Sequence, residues 1–120
     1  MIPIIYEDQW LLVVDKPSGL LTVPTPKNEQ RTLTGILNLH PCHRLDRETS
    51  GLIIYAKTKN IQQKMMDEFK QRKVKKTYIA FVRDTPYKNQ GEIKHRICLL
   101  KNPREGFTPS RGLVFLHKLY

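Results

Sequence analysis

His43-Arg44-Leu45-Asp46-Arg47-Glu48-Thr49-Ser50-Gly51-Leu52 is the stretch on which the reading of this chain turns. It places one acid, Asp46, between Arg44 and Arg47 and close to His43, and follows it with Thr-Ser-Gly, a tight-turn sequence. The turn leads directly into an apolar run, Leu52-Ile53-Ile54-Tyr55-Ala56, rich in strand formers. A carboxylate flanked by cations favours its charged form. Held on a loop that feeds a rigid strand, it is placed to act as a nucleophile or a base. The other reading of the same residues is an Asp that caps a turn, with its arginines in solvated ion pairs.

Working outward, residues 4–8 and 10–15 read as two short strands of β-branched and aromatic residues. Lys16-Pro17-Ser18-Gly19 reads as a turn, and residues 20–23 as a brief extended piece ended by Pro24 and Pro26. Residues 25–31 form a polar loop. Thr32 is placed to cap a short helix through Leu33, Ile36 and Leu37, which His40-Pro41 should break. After the 52–56 strand, Thr58 caps a second helix in which Ile61, Met65 and Phe69 share one face, with Gln62, Lys64, Asp67, Lys70 and Arg72 outward. Residues 77–82 predict a strand, as do 92–100, and Leu113-Val114-Phe115-Leu116 is a last apolar run. The expected fold is α+β: a mixed, largely antiparallel sheet with helices packed on it. Residues 1–120 are expected to be one domain.

Charged residues make up 27% and hydrophobic ones 39%, which excludes a disordered tail and a membrane protein. No apolar run approaches the roughly 20 residues that span a bilayer. The first residues lack the pattern of a signal peptide, and Cys42 and Cys98 make no disulfide framework, so the cytoplasm is expected. Twenty-one Lys and Arg face 11 Asp and Glu, a net charge of +10. Such an excess either keeps a protein soluble or attracts a polyanion, nucleic acid being the commonest. Lys59, Lys64, Lys70, Arg72, Lys73, Lys75 and Lys76 form the most basic region. They either solvate and complement a helix end or track an RNA backbone.

His40, Cys42 and His43 carry donor types that bind zinc, with His95, Cys98 and His117 as remote partners. Their close spacing, with Pro41 between them, argues against a zinc site, and no metal is expected. A metal-dependent nuclease using Asp46 with His40 and His43 is the reading that such a site would support.

The decapeptide resembles the H-R-L-D-x-x-T-S-G signature of the RluA/RsuA family of RNA pseudouridine synthases. Val13-Val14-Asp15-Lys16-Pro17-Ser18-Gly19-Leu20 is similar to that family's first motif, and Lys76-Thr77-Tyr78-Ile79-Ala80-Phe81-Val82 to its K-x-Y-x-A-x-V strand. The resemblance runs from about residue 4 to residue 83. It implies isomerisation of a uridine in rRNA or tRNA to its C-glycoside without cofactor or metal, on a nucleotide flipped out of its stack. Asp46 is then the catalytic carboxylate. Tyr78, on its residues alone either a core strand tyrosine or a stacking platform, is implied to stack on the uracil. Arg44 is implied to fill the space of the flipped base or hold a phosphate, with Arg47 and His43 also at the substrate and Lys73, Lys75 and Lys76 on the RNA backbone. A later G-R-T-H-Q-I-R-like strand of the family has no counterpart here, since residues 101–120 hold no Thr-His pair. The chain is therefore expected to be the N-terminal portion of a catalytic domain, without a separate accessory RNA-binding domain. An uncovered C-terminal edge is expected to favour self-association. The alternative is an RNA-binding remnant of the family without turnover.

Overall fold

A computed structural model of the chain describes residues 1–27, 31–81, 85, 90–93 and 114–117. The chain divides into two compact units, Met1–Lys76 and Thr77–Tyr120.

In the first unit, β1 (Ile4–Glu7), β2 (Leu11–Lys16), β3 (His40–Pro41) and β4 (Gly51–Ala56) form an antiparallel sheet in the order β1-β2-β4-β3. The turn between β1 and β2 is set by Asp8. Its carboxylate accepts from the Trp10 and Leu11 amides, each at 2.7 Å, and from the Tyr6 hydroxyl at 2.7 Å. Those bonds, the one from Tyr6 foremost, hold the Asp8 carboxyl below its ordinary value. The long ladder is β2 with β4, paired without a break from Leu11↔Ala56 to Lys16↔Gly51. Period-2 alternation then sends Leu12 and Val14, with Ile53 and Tyr55 opposite, into the core. Leu33 and Leu45 complete that core, and Ile2, Leu20, Leu37 and Leu39 pack around it.

Two helices join the sheet. Helix α1 (Leu33–Leu37) starts at Thr32, whose side chain accepts from the Gly35 amide, and ends at Asn38 in the left-handed region. Helix α2 (Lys59–Lys70) starts at Thr58, which caps Ile61 in the same way, and packs against β4 and β3. Both caps are those the sequence predicts. Beyond α2, the amides of Arg72 and Lys73 return to the carbonyls of Phe69 and Glu68. This is the helix-ending motif that usually places glycine where Arg72 takes φ 58°. In the second unit, β5 (Gln90–Ile93) pairs antiparallel with β6 (Val114–His117).

The α+β architecture is as expected, with four differences in detail. His40-Pro41 is an edge strand rather than a breaker, because helix α1 has already stopped at Asn38 and an edge tolerates proline's missing N–H. Gln62 is half-buried rather than outward, and its amide donates to the Pro41 carbonyl at 2.8 Å. Lys16 is the buried last residue of β2 and not part of the turn. Residues 77–81 form no strand: propensity makes a strand only where a neighbouring strand pairs with it, and Ile79 and Phe81 are left exposed. Val82 and residues 94–100 of the expected strands lie outside the described residues, as does Leu113.

Candidate active site

The loop from β3 to β4 carries Asp46, and its shape follows from one apolar residue. Leu45 is buried in the core, whereas Arg44, Asp46 and Arg47 are exposed. In an extended segment successive side chains alternate, so an inward Leu45 obliges its neighbours Arg44 and Asp46 to face out. The chain turns at Asp46, where the Thr49 amide donates to the Asp46 carbonyl at 3.1 Å. Gly51, at φ +129°, then starts β4.

A second loop, following β2, braces the first. The Gly19 amide donates to the Arg47 carbonyl at 2.7 Å, and the Ser18 hydroxyl to the Glu48 carbonyl at 2.8 Å. Gly19 makes this approach at φ +90°, a conformation that an L side chain strains to adopt. Below both loops sits the Lys16 ammonium, with no solvent exposure. It donates to the carbonyls of Pro17 at 2.9 Å, Leu20 at 2.6 Å and Arg47 at 3.0 Å. Three N–H donors thus meet three acceptors. Burial pulls the Lys16 pKa down, while the carboxylates of Glu48 and Asp46 act in the opposite direction and favour its charge.

Thr22 holds the segment before Asp46. Its hydroxyl donates to the Leu45 carbonyl at 2.7 Å and accepts from the Leu45 amide at 3.2 Å.

His43 is half-buried, and its Nε2 accepts from the Ile54 amide at 3.0 Å. That bond requires an unprotonated Nε2, and burial first, then Lys76, push the imidazole pKa down. The ring lies against Phe69 with centroids 4.6 Å apart, and the Lys76 ammonium sits 5.8 Å from the Phe69 centroid. His43, Phe69 and Lys76 therefore form one stack that joins the Asp46 loop to the basic segment. Lys73 reaches Glu68 at 3.9 Å, and Lys75 is exposed.

The structure thus gathers Arg44, Asp46, Arg47 and His43 on one loop and ties Lys76 to it through Phe69. Among the described residues the ion pairs are Lys57–Glu7 and Lys73–Glu68, so neither Arg44 nor Arg47 closes onto Asp46. Tyr78 is exposed and belongs to the second unit. Among the described residues no cluster of three His, Cys, Asp or Glu side chains is spaced to hold a metal. Cys42 is buried, which pushes its thiol up to about 11, and the His43 Nε2 is already engaged. His95 and Cys98 lie outside the described residues. Sequence reasoning missed Lys16 and Thr22. For Lys16 a signal existed: it continues the inward phase of Leu12 and Val14. For Thr22 there was none, because its partner is set by tertiary contact.

Replacing Lys16 with Met keeps the stem and removes three hydrogen bonds, leaving three carbonyls without their donor. We expect a loss of about 2–4 kcal/mol, read from the midpoint of urea unfolding; an unchanged midpoint refutes the bracing role. His43 gives a pH signature. Its folded pKa lies below the unfolded value, so the unfolded chain binds more protons in that interval. The contribution is complete above the unfolded pKa of about 6.5 and is lost as pH falls through the folded one. The unfolding temperature should therefore drop from pH 7 to pH 5, and His43→Asn should flatten that slope. Equal slopes in the two proteins would rule the assignment out.

The chain matches the family model of RNA pseudouridylate synthase over residues 10–113. It is 44% identical over 85 residues to the dual-specificity RNA pseudouridine synthase RluA of Yersinia pestis, covering 66% of this chain and 41% of that protein. It is 41% identical over 118 residues to the mitochondrial tRNA pseudouridine(32) synthase of Saccharomyces cerevisiae, covering 93% of this chain and 24% of that one. Among solved structures, human RNA pseudouridylate synthase domain containing 1 superposes with a TM-score of 0.64 at 25% identity, over 91% of this chain and 49% of that one. The chain spans less than half the length of each of these relatives. With a family match that takes in both the Lys16 loop and the Asp46 loop, the chain belongs to the RNA pseudouridylate synthase family.

Proposed function

We propose that the protein of this chain isomerises uridine to pseudouridine in structured RNA, ribosomal or transfer, with Asp46 as the catalytic carboxylate. The observation that carries the reading is an exposed acid on a loop whose backbone is pinned from below by Lys16 and from the side by Thr22. A backbone held in this way leaves only the Asp46 side chain to be ordered as it meets the sugar. Asp46 either attacks the ribose or acts as a base upon it. The C1′–N1 bond breaks, the uracil turns, and C1′ bonds to C5. The proton released from C5 balances the one gained at N1. The nucleotide must leave its stack to reach the carboxylate, and Tyr78 supplies the aromatic face for the uracil. Arg44, exposed beside Asp46, takes a flanking phosphate or the gap left by the base, with Arg47 and His43 also at the substrate. Lys73, Lys75 and Lys76 follow the RNA backbone. Residues 1–120 act as the N-terminal portion of a catalytic domain working in the cytoplasm. Self-association of the chain belongs to the same proposal. Among the described residues no helix is long and apolar enough to cross a membrane.

Asp46→Asn keeps the volume and removes the charge. Pseudouridine formation in rRNA and tRNA transcripts should vanish while RNA binding and the unfolding midpoint persist. Near-wild-type turnover in that variant sinks the assignment, and binding without turnover in the unsubstituted chain favours the RNA-binding remnant.

Affinity for single-stranded RNA should fall with salt at a slope of about −0.7 per phosphate neutralised. Replacing Lys73, Lys75 and Lys76 with Gln should lower the slope by roughly two to three contacts. An affinity indifferent to salt would point instead to a protein partner or a small ligand.

A further inference from the structure

We propose that Thr22 is the positioning residue of the Asp46 loop, aimed by a hydrogen-bond chain from Tyr55 through Thr34. A hydroxyl has one donor and two lone pairs. Thr22 uses both functions on a single residue, donating to the Leu45 carbonyl and accepting from the Leu45 amide. The Leu45 carbonyl belongs to the same planar peptide as the Asp46 nitrogen, so fixing it fixes the axis from which the Asp46 side chain departs. One side chain thereby replaces a neighbouring strand for the residue before the reactive acid.

Thr22 is itself held. Its carbonyl accepts from the Thr34 amide at 3.0 Å and from the Thr34 hydroxyl at 2.7 Å, while the Leu21 carbonyl accepts from the Leu33 amide at 2.8 Å. The Leu33 and Thr34 amides are among the first-turn donors of α1 that the helix cannot satisfy internally, so segment 21–22 and α1 complete each other. The Thr34 hydroxyl has then spent its only proton on Thr22. In the contact of 2.9 Å between Thr34 and Tyr55, the donor is therefore the Tyr55 phenol. Burial pushes the phenol pKa up and keeps that proton in place. Tyr55 is fully buried in β4, the strand that leads away from the Asp46 loop. The direction of every bond follows: Tyr55 to Thr34, Thr34 to Thr22, Thr22 to Leu45. No member of this chain touches the substrate in the proposed reaction, so the role is positioning.

The turnover arm of the test rests on the reading of Asp46 given above, whereas the exchange arm does not. The protein is compared with Thr22→Val, which keeps the branched shape without the hydroxyl, Thr22→Ser, which restores it, and Tyr55→Phe, which keeps the core ring. Amide hydrogen exchange is followed residue by residue, together with kcat and KM for uridine conversion in rRNA and tRNA transcripts. In Thr22→Val the Leu45 and Thr49 amides should exchange about tenfold faster or more, with β2 and β4 unchanged. In the same variant kcat should fall roughly tenfold to a hundredfold at constant KM. Thr22→Ser should return both readouts to near the unsubstituted values, and Tyr55→Phe should show the same pattern at smaller size. Unchanged protection at Leu45 and Thr49 in Thr22→Val overturns the proposal, as does a loss carried by KM or one that Thr22→Ser fails to rescue. Should Thr22→Val not fold, Tyr55→Phe decides by the same criteria. Should the unsubstituted chain show no turnover, the exchange arm alone decides the clasp.

Discussion

A buried ammonium on which two loops close is the constraint behind the Asp46 site. Because β2 and β4 run antiparallel with Lys16 opposite Gly51, the loop that leaves β2 and the loop that enters β4 lie side by side at one end of the sheet. Two adjacent loops expose carbonyls to each other as well as to water, and unpaired buried carbonyls are costly. A lysine at the last inward position of β2 meets that need with one group, taking carbonyls from residues 17 and 20 on one side and residue 47 on the other. Its charge is tolerable in that place because all three donors are used, with Glu48 and Asp46 above contributing attraction.

The elements of the first unit were legible because their signals are local. The caps at Thr32 and Thr58, the four-residue spacing of Ile61, Met65 and Phe69, and the alternation of Leu12 and Val14 all act within a turn or a strand. The Asp46 motif was legible too, since an acid between arginines before Thr-Ser-Gly is a local pattern. Residues 77–81 misled for the opposite reason: β propensity describes a surface that suits a neighbour and does not supply one. Lys16 was read as turn because a charged residue beside proline normally is. Only the phase of its strand says that it points inward. Thr22, Thr34 and Tyr55 were illegible as a set, since polar pairing across 12 and 21 residues leaves no periodic trace.

His43 shows how one residue of the motif serves the scaffold. Its ring accepts the Ile54 amide, so it takes the place of a strand partner beside β4, and it stacks on Phe69 from α2. Both contacts suit a neutral imidazole, and burial and the nearby Lys76 keep it neutral. Protonation would bring a second cation beside Lys76 and remove the acceptor from Ile54. The loop bearing Asp46 is thus tied at its start by a ring that tolerates no charge and beyond Asp46 by an ammonium that carries one. The histidine makes the loop's order depend on pH from the acid side, and the ammonium from the alkaline side.

On the proposed reading, affinity and choice of nucleotide are separate problems solved by separate residues. Contacts from Lys73, Lys75 and Lys76 to phosphates add attraction for any RNA and distinguish no base. Discrimination must then arise where a flipped base meets Asp46, and there the precision of the backbone matters more than the number of charges. A misplacement of about 1 Å can cost a hundredfold in rate. That sensitivity is a physical reason for an exposed acid to be fastened by bonds to the carbonyls of Leu45, Arg47 and Glu48, all within two residues of it in the chain. The Phe69 stack links the two functions: Lys76 packs on one aromatic ring and His43 on the same ring, so the segment that would grip the backbone is referenced to the loop that would meet the base.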